Sequence, residues 1–285
     1  MSSQITAAFV QQYRSNLMIL AQQKGSKLRN TVRSESVNGT SAYFDRLGAT
    51  AAVKRLTRHG DTPLIDSPHS RRRLSTAPYE WADLIDNADK VRLLIEPTSE
   101  YALNAANAMG RTMDDIIIAA ASGTAYTGVD GSGTQAITLQ VAPAATNLTL
   151  AKLLEAKQDL DEGDVEGEDR YIIVSPKMMT SLLGTTEVKS ADYNAVKALV
   201  QGQLDTFLGF KFVTSNRLAA NTTADGHLCL AYQRSGLVLG IGEDVKTEIG
   251  PRADKSYSTQ VYVRMDLGAT RLEEARVVEI DCIGG

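Results

Sequence analysis

The sequence predicts an α+β fold, and three observations carry that prediction. Residues Pro97 to Gly123, PTSEYALNAANAMGRTMDDIIIAAASG, have the spacing of one long helix. Apolar runs and alternations of strand length recur through the C-terminal half, in FLGFKFVTSN, HLCLAYQRSGLVLGIG, VKTEIG and STQVYVRMDLGATRLEEARVVEIDC. Just before them RYIIVSP, a buried strand stopped by Pro176, is followed by KMMTSLLG, a short helix stopped by Gly184, and the two form an alpha/beta unit.

The long helix is the part around which the other elements are expected to be arranged. Ser99 is a suitable N-cap, Glu100 places negative charge at the positive end of the helix dipole, and Gly123 is a natural terminator. Ala102, Ala105, Ala106, Met109, Met113, Ile116, Ile117 and Ala120 recur at three- and four-residue spacing and form the expected buried face. Asn104, Asn107, Arg111, Asp114 and Asp115 fill the other face. About 22 residues make a rod of roughly 33 Å, the width of a small domain. Gly110 costs about 1 kcal/mol in a helix interior unless another segment must approach closely there.

Upstream, Ile5, Phe9, Tyr13, Leu17 and Leu20 form an apolar stripe, so residues 5–22 are expected to be an amphipathic helix on an arm. The next stretch, QKGSKLRNTVRSESVNG, is polar and aperiodic and reads as an extended segment packed on something else, a second chain being one candidate. GTSAYFDRLG follows at residues 39–48. Then ATAAVKRLT and RRRLSTAPYEWADLI flank the polar segment RHGDTPLIDSPHS, which predicts a long projecting hairpin with Arg71, Arg72 and Arg73 near its tip. Such a charge run is either a solvated face or a site for acidic partners.

Downstream of the long helix, TAYTGVDGSGTQAITL reads as a flexible loop leading to a short strand. Gly128 and Gly133 have phosphate-loop spacing, but Thr134 stands where that motif requires Lys. Residues 148–162 read as an amphipathic helix ending in the acidic run DLDEGDVEGEDR. Asp159, Asp161 and Asp164 imitate a calcium loop, yet Gly163 occupies a ligand position, so a solvated loop is expected. The final strands are placed beside the long helix, which implies that residues 150–245 form an inserted lobe.

Composition excludes several classes of function. The chain has 285 residues and 43% hydrophobic content, enough to bury a core in one domain or two. A formal net charge of -4 argues against coating nucleic acid through a broad basic surface. MSSQITAAFV has no basic region followed by an apolar run, and no stretch approaches 18 apolar residues, so neither export nor membrane spanning is expected and the chain should fold in cytoplasm. Cys229 and Cys282 fit no CxxC pattern and are expected to be buried, reduced thiols, and the sequons at Asn38, Asn147 and Asn221 have no secretory context. His59, His69 and His227 fall in predicted turns or loops, and neither HExxH nor GxSxG is present. No catalytic, cofactor-binding or metal-binding residue is assigned.

The order of these parts resembles the major capsid proteins of tailed bacteriophages, which share the Johnson fold, over nearly the whole chain. GTSAYFDRLG is similar to the arm motif of short-tailed phage capsid proteins, although Thr40 and Asp45 stand where those often have Lys and Pro. RYIIVSPKMMTSLLG with FLGFKFVTSNRLAA resembles an axial-domain strand and helix followed by its late strand, and RMDLGATRLEEARVVEI looks like the final peripheral-domain strands. The resemblance implies an N-terminal arm over 1–50, an extended β-hairpin loop over 51–90, a peripheral domain with the spine helix over 91–147, an axial domain over 148–240 and peripheral return strands over 241–285.

It also implies a shell subunit without a catalytic site, which self-assembles as hexamers and pentamers into an icosahedral virion holding double-stranded DNA. The partners implied are other copies, adjacent capsomers, and scaffold, portal and decoration proteins, with DNA held only weakly and no membrane. Because the long scaffolding prodomain of some relatives is not seen, a separate scaffold is expected, with assembly in the bacterial host cytoplasm. No covalent cross-link is assigned. Arg71, Arg72 and Arg73, together with Phe9, Tyr13 and Leu17, are the expected subunit contacts. The alternatives are an encapsulin-like compartment shell, marked by a cargo pocket beside the N-terminal helix, and a soluble hydrolase or transferase with its site in the 150–245 lobe.

Overall fold

A computed structural model of the chain describes residues 21–58, 60–86, 98–142, 146–184, 206–219 and 226–283. The expected arm helix, with Phe9, Tyr13 and Leu17, lies outside the described residues apart from its last two positions. Helix α1 (Thr98–Ser122) has 25 residues, a rod of about 37 Å. It starts one residue before the expected cap Ser99 and ends where Gly123 N–H bonds the Ala119 carbonyl at 2.8 Å. Ala105, Met109, Met113 and Ile117 are buried, as their spacing predicts, whereas Ile116 is only half-buried.

The polar face departs from expectation. Asn107 and Asp114 are buried, because their side chains accept backbone N–H groups from the polar stretch that precedes Arg33. Gly25 N–H donates to Asn107 Oδ1 at 3.1 Å. Lys27 and Leu28 N–H groups donate to the two oxygens of Asp114, each at 3.1 Å. Gln22 joins in through Asn104 at 3.0 Å and Arg111 at 2.5 Å. Gly110 meets the same segment: a Cβ there would lie 2.4 Å from the Gly25 carbonyl carbon, so the glycine is the close approach its position predicts. The extended stretch therefore packs on this chain's own helix. Beyond Leu28, which is fully buried, Thr31 Oγ1 lies 2.7 Å from the Leu28 carbonyl and 2.6 Å from the Tyr232 hydroxyl.

The chain divides into two compact units. In the first, the described residues are 21–26, 78–86, 98–112 and 243–266. It contains most of β4 (Ala77–Ile85), which neighbours the first part of β13 (Ser258–Arg271), itself beside the far part of β12 (Leu237–Arg252). Val261, Val263 and Met265 alternate inward along β13, the period-2 pattern of a strand with one covered face. Strand β1 (Arg33–Ser36) runs parallel to β12 only over Val238–Ile241, so beyond Ile241 the outer edge of β12 pairs with no other described strand.

The second unit holds a six-stranded sheet in the order β7-β14-β11-β8-β10-β9. Its members are β7 (Leu139–Val141), β8 (Arg170–Val174), β9 (Thr206–Phe207), β10 (Phe210–Thr214), β11 (His227–Gln233) and β14 (Val277–Cys282). Strand β8, helix α3 (Pro176–Gly184) and parallel strand β10 form the predicted alpha/beta unit. The last strand closes this sheet: β14 is antiparallel to β11 and parallel to β7. Helix α2 (Leu150–Glu162), capped by the Thr149 hydroxyl, lies against β14 and β7. A smaller antiparallel sheet has the order β2-β3-β5-β6, from β2 (Ser41–Leu47), β3 (His69–Ser75), β5 (Ala125–Thr127) and β6 (Gly133–Gln135). Part of the expected flexible loop after α1 is thus the hairpin β5–β6.

Two predictions concern the helix. Asp114→Ala leaves two N–H groups without their acceptor and is expected to cost about 3 kcal/mol in urea unfolding, with faster hydrogen exchange at Lys27 and Leu28. An unchanged midpoint would show that the clamp contributes nothing. Alanine outranks glycine by about 1 kcal/mol in a helix interior, yet Gly110→Ala should destabilise, because its methyl displaces residues 25–26. A raised unfolding midpoint would refute that reading.

Candidate assembly surface

A hairpin exists, but with different partners from those predicted. β2 pairs antiparallel with β3 from Ser41↔Ser75 to Leu47↔His69, and residues 49–57, expected as one arm, carry no strand. After a break at Thr76 the chain enters β4, which belongs to another sheet. Gly268 accompanies that break: a Cβ there would come within 2.1 Å of the Ser75 carbonyl oxygen. The described residues of 48–68 form an irregular loop closed at its base by Gly48 N–H to the Pro68 carbonyl, 2.8 Å. Its apolar side chains face solvent, Leu56 at 85% and Leu64 at 99% exposure, with Val53 and Ile65 also exposed. Exposed apolar groups clustered on one segment mark an interaction site more often than scattered ones do.

Arg71, Arg72 and Arg73 are therefore not at a tip; they lie within β3. Alternation along the strand sends Arg72 inward with Leu74 and leaves Arg71 and Arg73 on the other face. Arg72 is 3% exposed, donates from Nε to the Leu272 carbonyl at 3.3 Å and pairs through its terminal nitrogen with Glu274. Arg46 reaches the same carbonyl, and burial together with the neighbouring Arg72 cation lowers its pKa. Glu274 is shared by Arg271, fully buried, whose Nε lies 3.1 Å away. The rest of the Arg271 guanidinium caps α1, donating to Ala121 O at 2.7 Å and Gly123 O at 2.8 Å, and reaches Gln135 O at 3.1 Å. The sequence reading missed Arg271 and Glu274, although Arg271 is in phase with the inward residues Val263, Met265 and Leu267.

On the outer face Arg71 forms a fork with Asp45, Nε to Oδ1 at 2.6 Å and a terminal nitrogen to Oδ2 at 3.3 Å. That bond holds the Asp45 carboxyl below its usual range and raises Arg71. The Arg71 guanidinium also lies 5.5 Å over the Tyr43 ring, and Arg73 lies 4.9 Å over Tyr126. Tyr43, Tyr126, Leu47 and Val129 are exposed beside them, bordering a groove lined by His69, Arg71, Thr127 and Gly128. The face thus presents amphipathic rings held flat by cations, with little side-chain freedom left to lose on contact.

Other candidate chemistry disperses. Gly128 and Gly131 have positive φ because they turn the β5–β6 connection, where Asp130 accepts from Ser132. The acidic run is not a bare solvated loop, since three of its carboxylates are matched by cations. Asp161 meets Arg170 at 2.6 Å, Asp169 meets Lys211 at 2.7 Å, and Glu166 pairs with Arg276, which lowers the Glu166 pKa. No group of three metal-ligating side chains occurs among the described residues. His69 and His227 begin strands β3 and β11 and are not in the expected turns or loops, because each is paired with a neighbouring strand, at Leu47 and at Cys282, whereas His59 lies outside the described residues. Cys229 and Cys282 are buried and free of any disulfide, as expected; their mutual hydrogen bond and burial push the Cys229 thiol well up. No described helix is long and apolar enough to cross a membrane.

The fold has solved counterparts. The capsid of cyanophage P-SCSP1u shares 18% identity with a TM-score of 0.75, covering 94% of this chain and 91% of that one. The capsid of Helicobacter pylori bacteriophage KHP30, described as stable in acid, shares 10% identity with a TM-score of 0.73 and 94% coverage of both chains. Mycobacterium phage Che8 gives 16% identity and a TM-score of 0.69, covering 93% and 94%. No curated protein matches the chain in sequence. The family model described as phage capsid protein matches residues 5–284. With a match that spans nearly the whole chain, and an architecture shared with solved phage capsids, the protein belongs to the phage capsid family and is a major capsid protein, a structural subunit of the virion shell.

Proposed function

We propose that the chain assembles as hexamers and pentamers into the icosahedral head of a tailed bacteriophage and encloses double-stranded DNA. Its work in that reading is repeated subunit contact, without catalysis. The observation that carries it is the loop over 48–68, whose Leu56 and Leu64 are left in water by their own chain. Burying both on a neighbour would contribute about 3 to 6 kcal/mol per copy before ordering costs, far more than an exposed ion pair supplies. A receiving surface of suitable kind is the free edge of β12 beyond Ile241, with exposed Ile249 beside it, where an extended segment gains backbone hydrogen bonds.

Arg71 and Arg73, with Tyr43 and Tyr126, are proposed as a second contact face, and Phe9, Tyr13 and Leu17 as the arm's contribution. Arg72 is assigned instead to holding the hairpin root through Glu274. The division into arm, extended loop, peripheral domain and axial domain belongs to the same proposal, as does assembly in the host cytoplasm on a separate scaffold. A net charge of -4 suits an inner wall that holds DNA weakly.

The test separates folding from assembly. Leu56→Ser with Leu64→Ser, and separately Arg71→Ala with Arg73→Ala, should leave the subunit's Tm almost unchanged while shell yield by electron microscopy falls sharply. Arg72→Ala should instead lower Tm, with a loss of about 2 to 4 kcal/mol in stability, because the half-buried Glu274 loses one of its two arginine partners and the buried Arg72 stem leaves a void. Normal shells from the leucine double variant at wild-type concentration would remove the loop from the assembly contact.

A further inference from the structure

We propose that Asn38 is a self-modification site, converted by attack of the Gly39 backbone nitrogen on its side-chain carbonyl, so that subunits gain a carboxylate with age. Asn38 is the only asparagine in the chain that precedes a glycine. The pair sits at the corner between β1 and β2, and both residues are exposed. Gly39 has φ +94, and nothing beyond its chain neighbours lies within 4 Å of where a Cβ would stand, so the corner around it is open. No hydrogen bond among the described residues holds either residue, which leaves the Gly39 N–H free to lose its proton to solvent. Asn104 and Asn107 differ in every respect: they lie within α1, where the following amide is engaged in the helix, and both side chains are held by hydrogen bonds.

The step balances without cofactor or oxidant. The Gly39 nitrogen forms a bond to Asn38 Cγ, its proton leaves, the Cγ–Nδ2 bond breaks and ammonia departs, giving a five-membered imide. Water then adds to either ring carbonyl. One opening restores the main chain with an aspartyl side chain; the other routes the chain through the side chain, as an isoaspartyl link one methylene longer. The corner is pinned on both sides, by Val37 N–H to Ile241 O at 2.9 Å and Thr76 N–H to Thr40 O at 3.1 Å. The extra atom must therefore be absorbed by two residues joining strands of different sheets.

The experiment is peptide mapping of the purified full chain during incubation at neutral and mildly alkaline pH. The tryptic peptide over 34–46 should gain one mass unit and split into two chromatographic forms, faster at the higher pH because the deprotonated amide is the nucleophile. Asn38→Gln, which would need a less favourable six-membered ring, should abolish the gain while leaving Tm unchanged. A free synthetic peptide of the same sequence serves as the reference. If the peptide converts and the folded chain does not, the corner protects Asn38 and the proposal fails. It fails equally if another asparagine of the folded chain converts first. Neither outcome bears on the assembly reading.

Discussion

The carboxylate of Asp114, wholly buried on α1, is matched by two consecutive backbone donors, Lys27 and Leu28. A buried charge without such partners would cost several kcal/mol, so the helix and the stretch before β1 can only be ordered together. Much follows from this clamp. Leu28 enters the core, its carbonyl orders Thr31, Thr31 meets Tyr232 of β11, and the chain leaves in register to run beside β12. Burial raises the pKa of the Tyr232 hydroxyl, so this link stays neutral at physiological pH. Lys27 adds a bond from Nζ to the Thr214 carbonyl at the end of β10.

The far end of the helix is settled by a second buried ion. The last carbonyls of α1 lie at the negative end of its dipole, and Arg271 supplies the charge and donors that satisfy the one at Ala121 and that of Gly123 just beyond the helix. Glu274 then joins Arg271 to Arg72, so one network holds the helix terminus, the end of β13 and the root of the β2–β3 hairpin. Such networks are poor sources of net stability but strong selectors of one arrangement, since a half-formed network leaves a buried charge unpaired. A loop with little core of its own starts from a base that cannot shift.

That contrast between a fixed root and an unfinished surface is what a shell subunit requires. Inside the chain, buried Arg72, Asp114, Arg170 and Arg271 find charged or backbone partners; outside, Leu56, Leu64 and the Tyr43–Arg71 and Arg73–Tyr126 stacks are presented to solvent. Each contact need be only modest, because a closed symmetric assembly repeats it in many copies. Weak individual contacts also let misplaced subunits leave before closure.

Much of the molecule was legible in one dimension. The span of α1, its buried Met109 and Met113, the strand–helix pair β8–α3 and the close approach at Gly110 follow from periodicity, capping residues and backbone freedom, all properties of neighbouring residues. The order of these elements was enough to reach the capsid family. The partner of β2, the inward turn of Arg72 and the burial of Asp114 were not legible. Each is decided by a group far along the chain: Asp114 meets residues 86 and 87 positions away, and Arg271 meets a carbonyl 150 positions away. By itself, then, the sequence determined most of the helix and strand segments and their order, although not the strandless stretch 49–57 or the β5–β6 hairpin. Only the tertiary structure decided which polar residues go inside, because a buried charge is tolerated only where distant backbone and side chains converge to satisfy it.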